Sequence, residues 1–132
     1  MTVATEQHEH RLHIQQKPDG RGLETNGGEL LCLALATCFC NDVYREAALR
    51  SIVVDRVEVQ VNATFGEPGE AAKALSYHAR VAAQAPEGEI RALVEHTDRV
   101  SEVQNTLRRG FSVSLTGVEV ESRAGAKMAA GN

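Results

Sequence analysis

From Leu30 to Cys40 the chain reads Leu-Leu-Cys-Leu-Ala-Leu-Ala-Thr-Cys-Phe-Cys, with no charged residue. A bilayer span needs about 20 apolar residues, so this run is too short to cross one and suits a helix buried on most sides. Its start is well marked. Asn26 can cap the first turn, and Glu29, three residues on, can reach back to the cap backbone as in a capping box. Charge returns with Asp42, Arg45, Glu46 and Arg50, so the second half is amphipathic. The pattern predicts one long central helix, about Gly28 to Arg50.

The remaining segments supply material to cover that helix. A short strand is expected at His10–Gln16, followed by a turn-rich loop, Lys17–Gly28. Val57, Val59, Val61, Ala63 and Phe65 alternate with polar residues, which predicts a strand with one buried face. The glycine- and proline-bearing stretch Gly66–Ala72 reads as a hairpin loop, and Leu75–Gln84 as the returning strand. Pro86 opens a helical stretch carrying Ile90, Leu93, Val94 and Thr97. A short helix at Ser101–Arg109 ends at Gly110. A final strand is expected at Phe111–Ser122, with a bulge at Gly117 where the apolar phase changes.

This order implies an α+β fold with an antiparallel-rich sheet around a long buried central helix. At 132 residues the chain is one domain, 1–132, with about 1–9 and 124–132 expected to fray. One sheet face cannot cover every side of Leu30–Cys40. A second copy of the chain is the natural cover.

Composition excludes several functions. A net charge of −4 argues against a broad phosphate-binding surface, and two Tyr, three Phe and no Trp argue against a base-stacking module, so no nucleic-acid partner is expected. No membrane partner is expected either. Met1–His10 is polar and acidic, unlike a secretory leader, and the expected location is cytoplasmic. There is no phosphate-loop, dinucleotide, nucleophile-elbow or zinc-protease motif, and no cofactor is expected.

The three cysteines, Cys32, Cys38 and Cys40, fall within nine residues. Such clustering cannot staple distant parts of a fold, and no second ligand pair exists for a zinc ribbon. Thiol chemistry and plain burial both remain open. Cys38 lies two to three turns into its helix, where the helix dipole helps little. A reactive thiolate there would need a nearby cation and a hydrogen-bonding carboxylate. Arg21, in the glycine-rich loop, is a candidate cation. Cys40 faces roughly the opposite side of the helix from Cys38, and Cys32 is also off its face. His8, His10 and His13 lack a nearby carboxylate or cysteine and read as a solvated terminal strand. Arg108 and Arg109 suit the negative end of the short helix.

The segment Gly28-Glu29-Leu30-Leu31-Cys32-Leu33-Ala34-Leu35-Ala36-Thr37-Cys38, with Asn105-Thr106-Leu107-Arg108 downstream, resembles the OsmC/Ohr family of osmotically inducible and organic hydroperoxide resistance proteins. The resemblance spans about Leu12 to Val120. It implies an intertwined homodimer with sites at the subunit interface. It further implies cysteine-based reduction of organic hydroperoxides by an external thiol. Cys38 matches the family's peroxidatic cysteine. Glu29, nine residues earlier, nearly matches its glutamate, which lies ten before the cysteine. Ser101 stands where the family has its resolving cysteine, which leaves Cys40, Cys32 or an external thiol for that role. The family's arginine lies in an N-terminal hairpin, for which Arg21 or Arg11, or an arginine of the partner chain, would substitute. The alternative expectation is a non-catalytic member that binds a small apolar ligand at the dimer interface.

Overall fold

The computed structural model describes residues 2–4 and 7–123. The chain begins with two short antiparallel strands, β1 (Thr2–Ala4) and β2 (Glu9–Arg11), with Thr2 opposite Arg11. Fraying was expected up to residue 9 and a strand over His10–Gln16. Instead the ladder ends at Arg11, and a single bridge, Gln16 to Leu23, closes the following loop.

Helix α1 (Gly27–Leu49) forms as its sequence predicts. Asn26 Oδ1 accepts the Glu29 N–H at 2.8 Å, and the Asn26 N–H donates to Glu29 Oε1 at 3.3 Å. This satisfies two of the N–H groups that a helix start otherwise leaves without partners. At the other end, Ser51 adopts a left-handed backbone (φ 56°), and Ile52 donates its N–H to the Ala47 carbonyl at 2.9 Å. That turn folds the buried Ile52 back onto the helix.

Strands β3 (Val54–Phe65) and β4 (Ala72–Ala83) form the long antiparallel hairpin. Val57 faces Val81, Val59 faces Ala79 and Val61 faces Tyr77. These are the apolar positions of the alternating pattern, and they point toward the helices. Phe39, Val43 and Ala47, spaced by four on α1, meet this face and are buried together with Ile52 and Leu93. The Phe39 and Tyr77 rings pack edge to face at 5.2 Å. Near the start of α1, a Cβ on Gly28 would lie 3.0 Å from the Phe65 ring, so only glycine admits this close approach without a shift.

Helix α2 (Glu87–Val100) packs on α1 and β4, and α3 (Glu102–Arg109) follows after Ser101. Gln104 ties α3 to α1 by donating from Nε2 to the Leu35 carbonyl at 3.3 Å. The fold is therefore mixed α+β with antiparallel pairing, as expected.

Two further expectations are corrected. Residues 111–123 enter no ladder among the described residues and are exposed throughout, so the last strand and its bulge at Gly117 do not form within one chain. A strand needs a neighbour to satisfy its backbone, and none of the described strands pairs with the segment. Nor is the charge-free half of α1 buried on most sides. Leu35 and Phe39 are, but Leu33 is 59% exposed. Residues 124–132, expected to fray, lie outside the described residues.

Candidate functional site around Cys38

Cys38, Asp42 and Arg45 occupy positions i, i+4 and i+7 of α1, which puts them on one face over two turns. The Cys38 thiol donates to Asp42 Oδ2 at 3.3 Å. Asp42 Oδ1 in turn lies 3.1 Å from Arg45 Nη1. Helix α3 closes the ring: Glu102 Oε1 is 3.2 Å from Arg45 Nη1, and Glu102 Oε2 lies 3.7 Å from the Cys38 sulfur. The backbone of Val103, in the first turn of α3, favours the thiolate form of that cysteine. The amino end of α3 thus supplies the favourable dipole that Cys38 lacks within its own helix.

Electrostatics set the resting state. Burial pushes the Cys38 thiol above its ordinary pKa; the Val103 N–H opposes this, and the Asp42 carboxylate adds to it. Burial likewise raises the Asp42 carboxyl, while the Cys38 S–H bond pulls it down and the neighbouring Glu102 pushes it up. Glu102 is held below its ordinary value, first by its own N–H at the helix start and further by Asp42 and Arg45. At neutral pH, Cys38 rests as a thiol whose proton already points at a carboxylate.

Arg45 is held from a second side. Its Nε donates to Glu46 Oε2 at 3.0 Å, and Glu46 Oε1 lies 2.7 Å from His96 Nε2 on α2. Arg45 and Glu102 are substantially exposed, so their pairing is worth at most about 1 kcal/mol of stability. Its effect is to fix geometry.

The structure distributes the expected site residues unevenly. Glu29 is occupied in the capping box, roughly 13 Å along the helix axis from Cys38 at about 1.5 Å per residue. Arg21 is exposed in its loop, with its backbone N–H on Asp19 Oδ1. Among the described residues no hydrogen bond or ion pair joins Arg21, Arg11 or Glu29 to Cys38. Arg45 is the cation beside the Cys38 carboxylates. Cys40 lines a cleft with Val57 and Val59 on the β3 side of α1, away from α3 and Cys38. Ser101 is fully buried beside this site, with its hydroxyl donating to the Thr97 carbonyl at 2.8 Å and adjoining Asp42.

Sequence reasoning missed Asp42, Arg45 and Glu102. The Cys-x3-Asp-x2-Arg spacing carried a signal for the first two, whereas Glu102 lies 64 residues from Cys38 and carried none. Arg108 does more than favour a helix end: its Nη2 pairs with Asp98 Oδ1 at 2.6 Å. His8 and His10 stack their rings, but neither they nor His13 enter a donor cluster among the described residues. Donor atoms of Cys38, Asp42 and Glu102 lie within 4.8 Å of one another, close enough to share a cation. Arg45 already supplies positive charge to both carboxylates there.

The OsmC-like protein family model matches residues 19–116, most of the chain and the whole of this site. The chain belongs to the OsmC-like family. Solved structures agree on the fold. An OsmC-like protein from Mycoplasma pneumoniae is 16% identical with a TM-score of 0.61, over 81% of this chain and 77% of that one. An organic hydroperoxide resistance protein OsmC from Legionella pneumophila is 24% identical with a TM-score of 0.53, over 70% of each chain. An OsmC-like protein of unknown function from Vibrio cholerae is 11% identical with a TM-score of 0.50, over 61% of this chain and 56% of that one. No curated protein matches this OsmC-like chain at a significant level. No helix among its described residues is long and apolar enough to cross a membrane.

Proposed function

We propose that this OsmC-like chain is a thiol-dependent reductase of organic hydroperoxides with Cys38 as nucleophile, acting as a homodimer in the cytoplasm. One observation carries the reading. The Cys38 thiol sits within hydrogen-bond reach of a carboxylate, Asp42, that a third group, Arg45, orients. Nucleophile, base and orienting group in that order are the usual signature of an activated nucleophile.

In the first step the Cys38 proton passes to Asp42, and the thiolate attacks the distal peroxide oxygen. The O–O bond breaks as the S–O bond forms. The departing alkoxide takes the proton from Asp42 and leaves as an alcohol, so cysteine is oxidised to sulfenic acid and the peroxide is reduced. Arg45, half exposed beside Asp42, is the cation that would face the charge developing on the departing oxygen. An external thiol then condenses with the sulfenic acid, releasing water, and a second thiol releases Cys38 as the mixed disulfide is exchanged. Ser101 has no sulfur to offer, and Cys40 faces the other side of α1, which supports an external reductant.

The second copy is supported by exposed apolar residues on two elements. Leu33 on α1 and Val113 and Leu115 after α3 stand in solvent in a single chain, the last two at 93% and 84% exposure. Free cysteines and a thiol reductant suit a reducing compartment.

Hydroperoxide consumption in the presence of a dithiol tests the reading. Cys38→Ser is expected to reduce turnover to background, and unchanged turnover would sink the proposal. A binding role is favoured by different residues. Adjoining clefts of about 430 and 370 Å³ lie between β4 and α2, share Ala79, Val94 and Glu95, and do not contain Cys38. Retained uptake of a small apolar probe by a Cys38→Ser protein with no wild-type turnover would select that reading.

A further inference from the structure

Arg45 is about half exposed and could point its long side chain into water, yet three carboxylates hold it. Two of them, Asp42 and Glu102, belong to the Cys38 ring. The third, Glu46, touches neither Cys38 nor its partners. Its side chain is nearly buried, and both oxygens are committed, one to Arg45 Nε at 3.0 Å and one to His96 Nε2 at 2.7 Å. Gripping Nε from the rear limits rotation of the guanidinium plane, which leaves Nη1 directed at Asp42 and Glu102. His96 sits on α2, so the grip is anchored to a second element.

We propose that Glu46 is a positioning residue that holds Arg45 over the Asp42–Glu102 pair, with His96 as its anchor, and thereby sets the reactivity of Cys38. The inference rests on the reading of Cys38 as nucleophile. Without Glu46, Arg45 spends its time in water. Asp42 and Glu102, uncompensated, then hold the thiol proton more tightly.

The test measures Cys38 in two ways, in the full chain carrying Cys32→Ala and Cys40→Ala. One is sulfenic-acid trapping after cumene hydroperoxide, and the other is alkylation by iodoacetamide. Glu46→Ala is expected to slow both by about 10-fold, on the scale of the losses that follow misplacement of a catalytic group. Glu46→Gln, which keeps an acceptor for Nε, is expected to restore most of the rate. In an Arg45→Ala background, Glu46→Ala is expected to have no further effect, because a residue acting through Arg45 loses its influence with it. A residue that merely stabilised the fold would slow Cys38 in both backgrounds. Full additivity, or an unchanged or faster Glu46→Ala protein, overturns the proposal. A wild-type chain that alkylates but forms no sulfenic acid overturns the peroxidase reading instead, and the alkylation cycle still decides the role of Glu46.

Discussion

Strand β3 and the segment 111–120 have similar patterns, apolar residues alternating with polar ones, yet they end in opposite circumstances. In β3, Val57 and Val59 face Val81 and Ala79 across the hairpin and pack on Phe39 and Val43. In the second segment Val113, Leu115, Val118 and Val120 all stand exposed, with no ladder partner among the described residues. Alternation therefore specifies which face of a strand is apolar but says nothing about what will cover it. A two-stranded hairpin packed on two helices has found its cover. The later segment has its pattern and lacks its neighbour, and a second copy of the chain is the partner proposed for it.

That contrast can be broken most directly at its exposed end. Val113→Asp with Leu115→Asp is expected to cost a dimer about 3–6 kcal/mol per chain, at about 1.5–3 for each apolar side chain denied burial. Analytical ultracentrifugation should show the double variant shifting to monomer while its helical circular dichroism is retained. A dimer of unchanged affinity would mean that the segment is not part of the interface.

The paired end is tested at its core. Phe39→Ala removes a fully buried ring from the face that covers β3, and is expected to cost about 3–5 kcal/mol in urea unfolding. The same measurement on the double Asp variant, at concentrations where wild type is monomeric, should show almost no change.

Acid titration sharpens the comparison further. Glu46 is held below its ordinary carboxyl range, first by Arg45 and then by His96. Asp98 is also lowered: burial opposes this, but Tyr77 and Arg108 outweigh it. A carboxyl whose folded pKa is depressed adds stability that is fully present above the unfolded value and lost as pH falls through the folded one. Stability is therefore expected to decline below about pH 4, where unfolded Asp and Glu titrate. These groups all lie in the helices and the long hairpin. The decline should be the same with and without the Asp substitutions at 113 and 115.

The smallest effect is at the junction between α1 and β3. Ser51 holds a left-handed backbone at φ 56°, which glycine adopts without strain. Ser51→Gly is expected to raise the melting temperature slightly, by under about 1 kcal/mol of stability, and to leave association of the exposed segment untouched.

The candidate site shows the same division between local and distant information. Asn26 and Glu29 were legible as a capping box because both partners lie within one turn. The helix expected at Gly28–Arg50 is found at Gly27–Leu49, and the short helix expected at Ser101–Arg109 at Glu102–Arg109. Cys38 was legible as the candidate nucleophile from its segment, and the need of such a thiol for a cation and a carboxylate followed from thiol chemistry. Their identities did not. Arg21 and Glu29 were reasonable candidates by sequence position, but within one chain the loop and the helix start, about two and a half turns away, make no contact with the sulfur among the described residues.

The sequence by itself determined the helices, the long hairpin, their apolar faces and the position of the thiol. Each depends on periodicity or on groups a few residues apart, where chain geometry leaves few alternatives. Only the tertiary structure decided that α3 would turn its amino end toward Cys38, that Glu102 would meet Arg45, and that residues 111–123 would find no ladder partner among the described residues. Those outcomes depend on how α1, α2 and α3 pack around Phe39 and Leu93. Contacts across that packing join residues more than 50 positions apart, which no local pattern encodes.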